Sequence, residues 1–157
     1  MAARYILFRI AEEFGISATL KPQILENYES AKLYINFSTL ASRANNGYEA
    51  IKVYLEKLAQ THQKMSQLYA GELIKDLDLF SFGVGSRAAS IRVPTTTKTE
   101  GKGHVEDRRP SSNANPYIVT SSLVDVLLQE GKESDEMNES HQEWKRWKLK
   151  QPVFNFL

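Results

Sequence analysis

Apolar positions along this chain fall into helical and strand-like periods in separate stretches. Ile6, Ile10 and Phe14 recur every four residues, the stripe of an amphipathic helix expected to face a core. That helix would open almost at Met1 with no capping residue before it, so the chain reads as the later part of a larger fold. Gly15 is placed to stop it, and Ile16 to Leu20, "ISATL", reads as a short strand. Residues 21–33, with Pro22 near their start, fit no single period. "YINFST", Tyr34 to Thr39, reads as a strand, and "NNG" at Asn45 to Gly47 as a turn. Ile51, Leu55, Leu58, His62, Met65 and Leu68 then keep a 3–4 spacing, with Lys52, Glu56, Lys57 and Lys64 off the stripe, which predicts one long helix. His62 lies on that stripe and reads as a core-edge histidine rather than a ligand.

Beyond it, "LFSFGVGSRAASIRVP" (Leu79 to Pro94) enters a strand irregularly through Gly83 and Gly85. In that strand Ser90 and Arg92 share one face, and Ala89, Ile91 and Val93 the other. "TTTKTEGKG", Thr95 to Gly103, reads as a polar hairpin connection, and "GHVEDRRP" returns as the partner strand. Alternation puts His104, Glu106 and Arg108 on one face, and Val105, Asp107 and Arg109 on the other. Pairing would bring Arg92 to the first of these faces. Pro116 suits the first turn of a helix with Ile118, Leu123, Val126 and Leu127 on its apolar side and Gly131 at its end. The expected fold class is α+β, an antiparallel sheet with packed helices, over residues 1–131. Residues 132–157, acidic then basic in blocks, read as a flexible, solvated tail.

Length and composition change this picture little. A chain of 157 residues can bury a real core in one domain, and a net charge of +1 gives no global field. The absence of cysteine excludes disulfides and thiolate metal sites and is compatible with a reducing, cytoplasmic setting. No apolar run is long enough to span a membrane, and the N-terminus has no secretory-signal pattern. His62, His104 and His141 sit on separate elements, which argues against a histidine-based metal site. A hard cation held by carboxylate stays open, with Glu106 the obvious donor. "GVGSRAAS" runs into a strand rather than a helix, and no Walker or dinucleotide pattern is present. "WKRWK", Trp144 to Lys148, is too short to outweigh a helical tail, so neither nucleic acid nor membrane is an expected partner. Arg87, Arg92, Arg108 and Arg109 gather around the proposed hairpin. They suit bidentate binding of phosphate or carboxylate oxygens, or a self-satisfied Arg–Glu network holding the sheet, and the residues alone leave both readings open.

The segments "ARYILFRIAEEFGISAT", "NFST", "GVGSRAASIRVP" and "GKGHVEDRRPSSNANPYIVT" resemble, in that order, the C-terminal part of the catalytic domain of eukaryotic-type glutamine synthetase, in divergent or truncated form. The resemblance implies ATP-dependent ligation of ammonia to glutamate through γ-glutamyl phosphate, with Mg²⁺ or Mn²⁺ as cofactor. By resemblance, Asn36, Phe37 and Ser38 line the nucleotide, and Arg87 lies between glutamate and the transferred phosphate. Arg92 contacts ATP phosphates, His104 stands where a tyrosine stacks on the nucleotide, Glu106 ligates metal and Arg108 holds the substrate carboxylate. Departures are equally specific. Tyr34 replaces a metal- and ATP-associated histidine, Ser30 and Lys32 stand in place of glycines, and "AGELIKDLDL" bridges a gap where the family carries another substrate arginine and an acidic flap. The family's other metal glutamates belong to its N-terminal half, which would precede residue 1. The expectation is therefore a family member inactive as an isolated chain. The alternative is a non-catalytic nucleotide- or anion-binding protein, or one that docks with an intact synthetase. Expected partners are glutamate, ammonia and a further copy or full-length glutamine synthetase.

Overall fold

A computed structural model describes residues 2–28, 30–69 and 79–128 of the chain. The chain divides into a unit of residues 1–127 and a second of residues 128–157, and the described elements build the first. In order these are α1 (Ala2–Glu13), β1 (Ile35–Phe37), α2 (Leu40–Arg43), α3 (Gly47–Gln60), α4 (His62–Tyr69), β2 (Phe82–Val84), β3 (Ile91–Val93), α5 (Thr95–Glu100), β4 (Val105–Asp107) and α6 (Pro116–Leu128). The predicted helix end at Gly131, the tail 132–157 with its Trp144–Lys148 run, and residues 70–78 lie outside the described residues.

The α+β class is as expected, built on a four-stranded sheet of order β1-β4-β3-β2. β4 pairs antiparallel with both β1 and β3, while β2 runs parallel to β3. Ser81 and Ser90 stitch the β2–β3 connection: each backbone N–H donates to the other's hydroxyl, at 3.3 and 3.0 Å. Alternation then decides the faces. Ile91, Val93 and Val105 are fully buried and meet Ile51, Leu55, Leu58, Met65, Tyr69, Val119 and Leu123 from α3, α4 and α6. This is the core.

The long predicted helix is two. Thr61 separates α3 from α4, and its hydroxyl donates back to the Lys57 carbonyl at 2.8 Å. Such back-bonding competes with the helical ladder and bends it. The stripe survives the break, since Ile51, Leu55 and Leu58 on α3 and His62 and Met65 on α4 are all buried. Between β3 and β4 the expected polar hairpin connection is instead the short helix α5. "ISATL" forms no strand.

The N-terminal stripe is a clearer correction. α1 forms and ends before Gly15, whose φ of 64° is the left-handed stop that glycine tolerates. Yet Ile6, Ile10 and Phe14 stand 53%, 48% and 74% exposed, and Ala11 is the helix's one buried residue. The helix is held by Arg4 instead, which donates to the carbonyls of Ala114 and Ser112 at 3.0 and 2.7 Å. Helical period shows only that an apolar face exists; what covers it is decided by chain elsewhere.

Candidate functional site

Antiparallel register places Asn36 opposite Glu106 and Glu106 opposite Arg92, and the parallel pair adds Gly83 beside Arg92. One row therefore crosses all four strands on the face away from the core. At its centre the Glu106 carboxylate Oε2 accepts from Arg108 Nη1 at 2.9 Å and from Arg92 Nη1 at 3.4 Å. Glu106 and Arg108 are largely covered, with side chains 12% and 13% exposed, whereas Arg92 is more open. Burial pushes the Glu106 carboxyl up, but the hydrogen bond and charge of Arg108, then of Arg92, outweigh it and hold the group below the ordinary carboxylate value. It is ionised at neutral pH. Two guanidiniums against one carboxylate leave this face positive.

A bulge shapes its edge. Beyond the Ile35–Asp107 pair, the next bridge joins Lys32 to Ser111, so Leu33 and Tyr34 face Arg108, Arg109 and Pro110. One extra residue on the β4 side, with a proline that has no N–H to give the ladder, is the composition of a β-bulge, a device that re-aims side chains. Here it accompanies Arg108 lying over the Tyr34 ring, with Cζ 4.1 Å from the centroid.

The opposite face takes the other half of the alternation. Asp107 and Arg109 are fully buried, bound by Arg109 Nε to Oδ1 at 2.9 Å and Nη2 to Oδ2 at 2.7 Å. Tyr69 donates to Asp107 Oδ2 at 3.3 Å, and Arg109 Nη1 lies 3.3 Å from His62 Nδ1. Burial alone would lower the Arg109 pKa, but the Asp107 bond and charge reverse this and raise it, so Arg109 stays charged. Burial, then the Asp107 charge, pushes the Tyr69 phenol up. His62 is thus the buried core-edge histidine its stripe position suggests, here 5% exposed.

The four arginines of the sequence cluster are therefore divided. Arg92 and Arg108 meet at Glu106, while Arg109 is a structural ion pair on the core side. Arg87 is exposed in the β2–β3 connection and forms no ion pair among the described residues. Asn36 and Ser38 are exposed on and after β1, and Phe37 packs against the core from the other face. His104 precedes β4, is exposed, and offers its carbonyl to Thr97 Oγ1 at 3.0 Å. Sequence reasoning noted Tyr34 as a substitution but missed its stacking on Arg108. Its signal is the shared register of β1 and β4, which no period reveals.

For a divalent metal the donor set is too small. Among the described residues no group of three His, Cys, Asp or Glu comes together, and Glu106 is engaged by two arginines. The described residues by themselves do not fit such a site. What they do offer is a donor without an acceptor: Arg92 Nε is buried and has no hydrogen-bond partner. The Arg92 side chain as a whole is 30% exposed, so its guanidinium tip, held only by the 3.4 Å contact to Glu106, is open to a ligand oxygen.

No family model matches the chain. It is 41% identical over 140 residues to glutamine synthetase 1, mitochondrial, of Drosophila melanogaster, covering 80% of this chain and 35% of that protein. It is 42% identical over 138 residues to a glutamine synthetase of Alnus glutinosa (81% and 38% covered) and 41% identical over 140 residues to that of Mus musculus (80% and 38% covered). The chain thus spans little more than a third of the length of these curated relatives. Its fold is shared with an apo structure of GmaS without ligand, at a TM-score of 0.64 and 19% identity over 88% of this chain and 37% of that one. Among the described residues, no helix is long and apolar enough to cross a membrane.

Proposed function

The chain belongs to the glutamine synthetase family, little more than a third of whose curated members' length it spans, and from that premise we propose that its Arg92–Glu106–Arg108 face is a polyphosphate-binding surface inherited from ATP-dependent glutamate–ammonia ligation. The observation that carries this reading is the half-open Arg92 guanidinium, 30% exposed, on a sheet face where two arginines meet one carboxylate. In it, Arg92 donates to a phosphate oxygen of ATP and the exposed Arg87 adds a second guanidinium. Asn36 and Ser38 flank the nucleotide beside β1, with His104 at the far end of β4. Charge on transferring phosphoryl oxygens is met by fixed cations, and the arginines supply the part this chain holds. Mg²⁺ or Mn²⁺ would have to find its remaining ligands beyond the described residues, so no ligation step is assigned to this chain alone. Glutamate, ammonia and association with another copy or a full-length synthetase belong to the same proposal.

Calorimetric titration of the purified, monodisperse chain with ATP and Mg²⁺ tests the binding. Saturable heat is expected, weakened about 10- to 100-fold in Arg92→Ala by loss of a charge-assisted hydrogen bond. A folded wild type that gives no heat would make these charges scaffold only. Catalysis is checked separately: the isolated chain should form no more γ-glutamyl hydroxamate than its Glu106→Ala variant. Product clearly above that control would overturn the assignment of inactivity.

A further inference from the structure

We infer that Tyr34 is a specificity-determining residue of this face: its ring holds the Arg108 guanidinium closed on Glu106, so the site favours a phosphate at Arg92 over a ligand carboxylate at Arg108. This deepens the polyphosphate reading above and rests on it. Three observations meet at Arg108. Its Nη1 donates to Glu106 Oε2 at 2.9 Å, its Cζ lies 4.1 Å from the Tyr34 ring centroid, and its side chain is only 13% exposed. Arg92, by contrast, reaches the same oxygen at a long 3.4 Å, is more exposed, and keeps a buried Nε with no acceptor among the described residues. Arg108 is the more covered and the more closely paired of the two arginines.

The chemistry follows from geometry. A carboxylate ligand that takes the Arg108 Nη1 edge must displace it from Glu106, and turning the guanidinium to do so lifts it off the aromatic face. A cation over a ring at a partly exposed site is held by about 0.5–1 kcal/mol, which is roughly a two- to fivefold bias toward the closed pair. A carboxylate must overcome that bias as well as the charge of Glu106. A phosphate oxygen approaching the more open Arg92 guanidinium competes only with its long 3.4 Å contact to Glu106. The bulge of Arg108, Arg109 and Pro110 opposite Leu33 and Tyr34 is the local feature beside this stacking.

The test titrates the full chain and its variants with inorganic pyrophosphate and, separately, with L-glutamate, following the Arg108 guanidinium NMR signal, which registers weak binding as well as strong. Tyr34→Ala should bind glutamate about two- to fivefold more tightly than wild type, with pyrophosphate affinity little changed. Tyr34→Phe, which keeps the ring, should behave as wild type. Tyr34→Leu repeats the test with apolar volume retained, should alanine loosen the fold. An equal glutamate response in wild type and Tyr34→Ala, including none in either, overturns the inference, as does Tyr34→Phe behaving like alanine. Absence of pyrophosphate binding in the wild type would instead overturn the polyphosphate reading, while the glutamate comparison still decides the role of Tyr34.

Discussion

Replacing Arg109 by alanine should lower the unfolding free energy by about 3–5 kcal/mol, more than any change on the ligand-facing side of the sheet. The side chain is fully buried and forms a bidentate pair with Asp107, which is equally buried and also accepts from Tyr69. Deleting the guanidinium leaves a carboxylate sealed among Met65, Tyr69 and the sheet with no cation, and it must either unfold its surroundings or take up a proton. The cost comes from the orphaned charge rather than from any large net worth of the pair. Replacing both partners together, Asp107→Leu with Arg109→Met, should therefore recover much of that loss, short of wild type because Tyr69 and the backbone N–H at position 109 lose their acceptor. Urea unfolding of the three proteins checks this, with the slope compared to confirm that the same surface is exposed. An Arg109→Ala midpoint close to wild type would mean that water reaches Asp107 and that this core is less closed than its geometry shows.

The second large effect is expected at Gly47→Ala, far from any ion pair. Gly47 begins α3 where the chain turns from α2, and a Cβ there would lie 2.1 Å from the Ser42 carbonyl oxygen, 2.5 Å from its carbon and 2.9 Å from the Ala41 oxygen. These are backbone atoms, which cannot swing aside as a side chain would. The Ser42 carbonyl is also committed, since it accepts from Gly103 N–H at 2.8 Å while the Ser42 hydroxyl donates to the Gly103 carbonyl at 2.9 Å. A methyl at Gly47 thus presses on the clamp that holds the segment leading into β4. A loss of about 3 kcal/mol is expected, the upper end of what overpacking costs. Hydrogen exchange should show added opening at Gly103 and along β4 as well as at the α2–α3 corner. If exchange rises at the corner only, the clamp does not couple to the sheet.

These two positions show what was legible beforehand. The segregation of Val105, Asp107 and Arg109 from Glu106 and Arg108 follows from period two alone, and the sheet obeys it. The "NNG" turn is real too, with Asn46 at a φ of 61° and Gly47 as the helix's first residue. What the segregation could not reveal is which charged pair would be sealed in the core. Asp107 and Arg109 are no less polar than Glu106 and Arg108. Their burial depends on α4, more than thirty residues earlier in the chain, bringing His62, Met65 and Tyr69 against them.

Local pattern, acting through neighbours three or four residues apart in helices and two apart in strands, determined for this protein that α6, β1, β3 and β4 would exist, and that one apolar helical stripe would run through what the fold divides at Thr61 into α3 and α4. It also marked the Glu106–Arg108 face as the candidate site. Tertiary structure alone decided the rest: that Ile6, Ile10 and Phe14 stand exposed, that β2 joins β3 in parallel, that Arg92 meets Glu106 only at 3.4 Å, and that Tyr34 lies under Arg108. Each of those facts concerns groups brought together by register or packing across long stretches of chain. Periodicity carries which way a side chain points; only the assembled fold fixes what it meets.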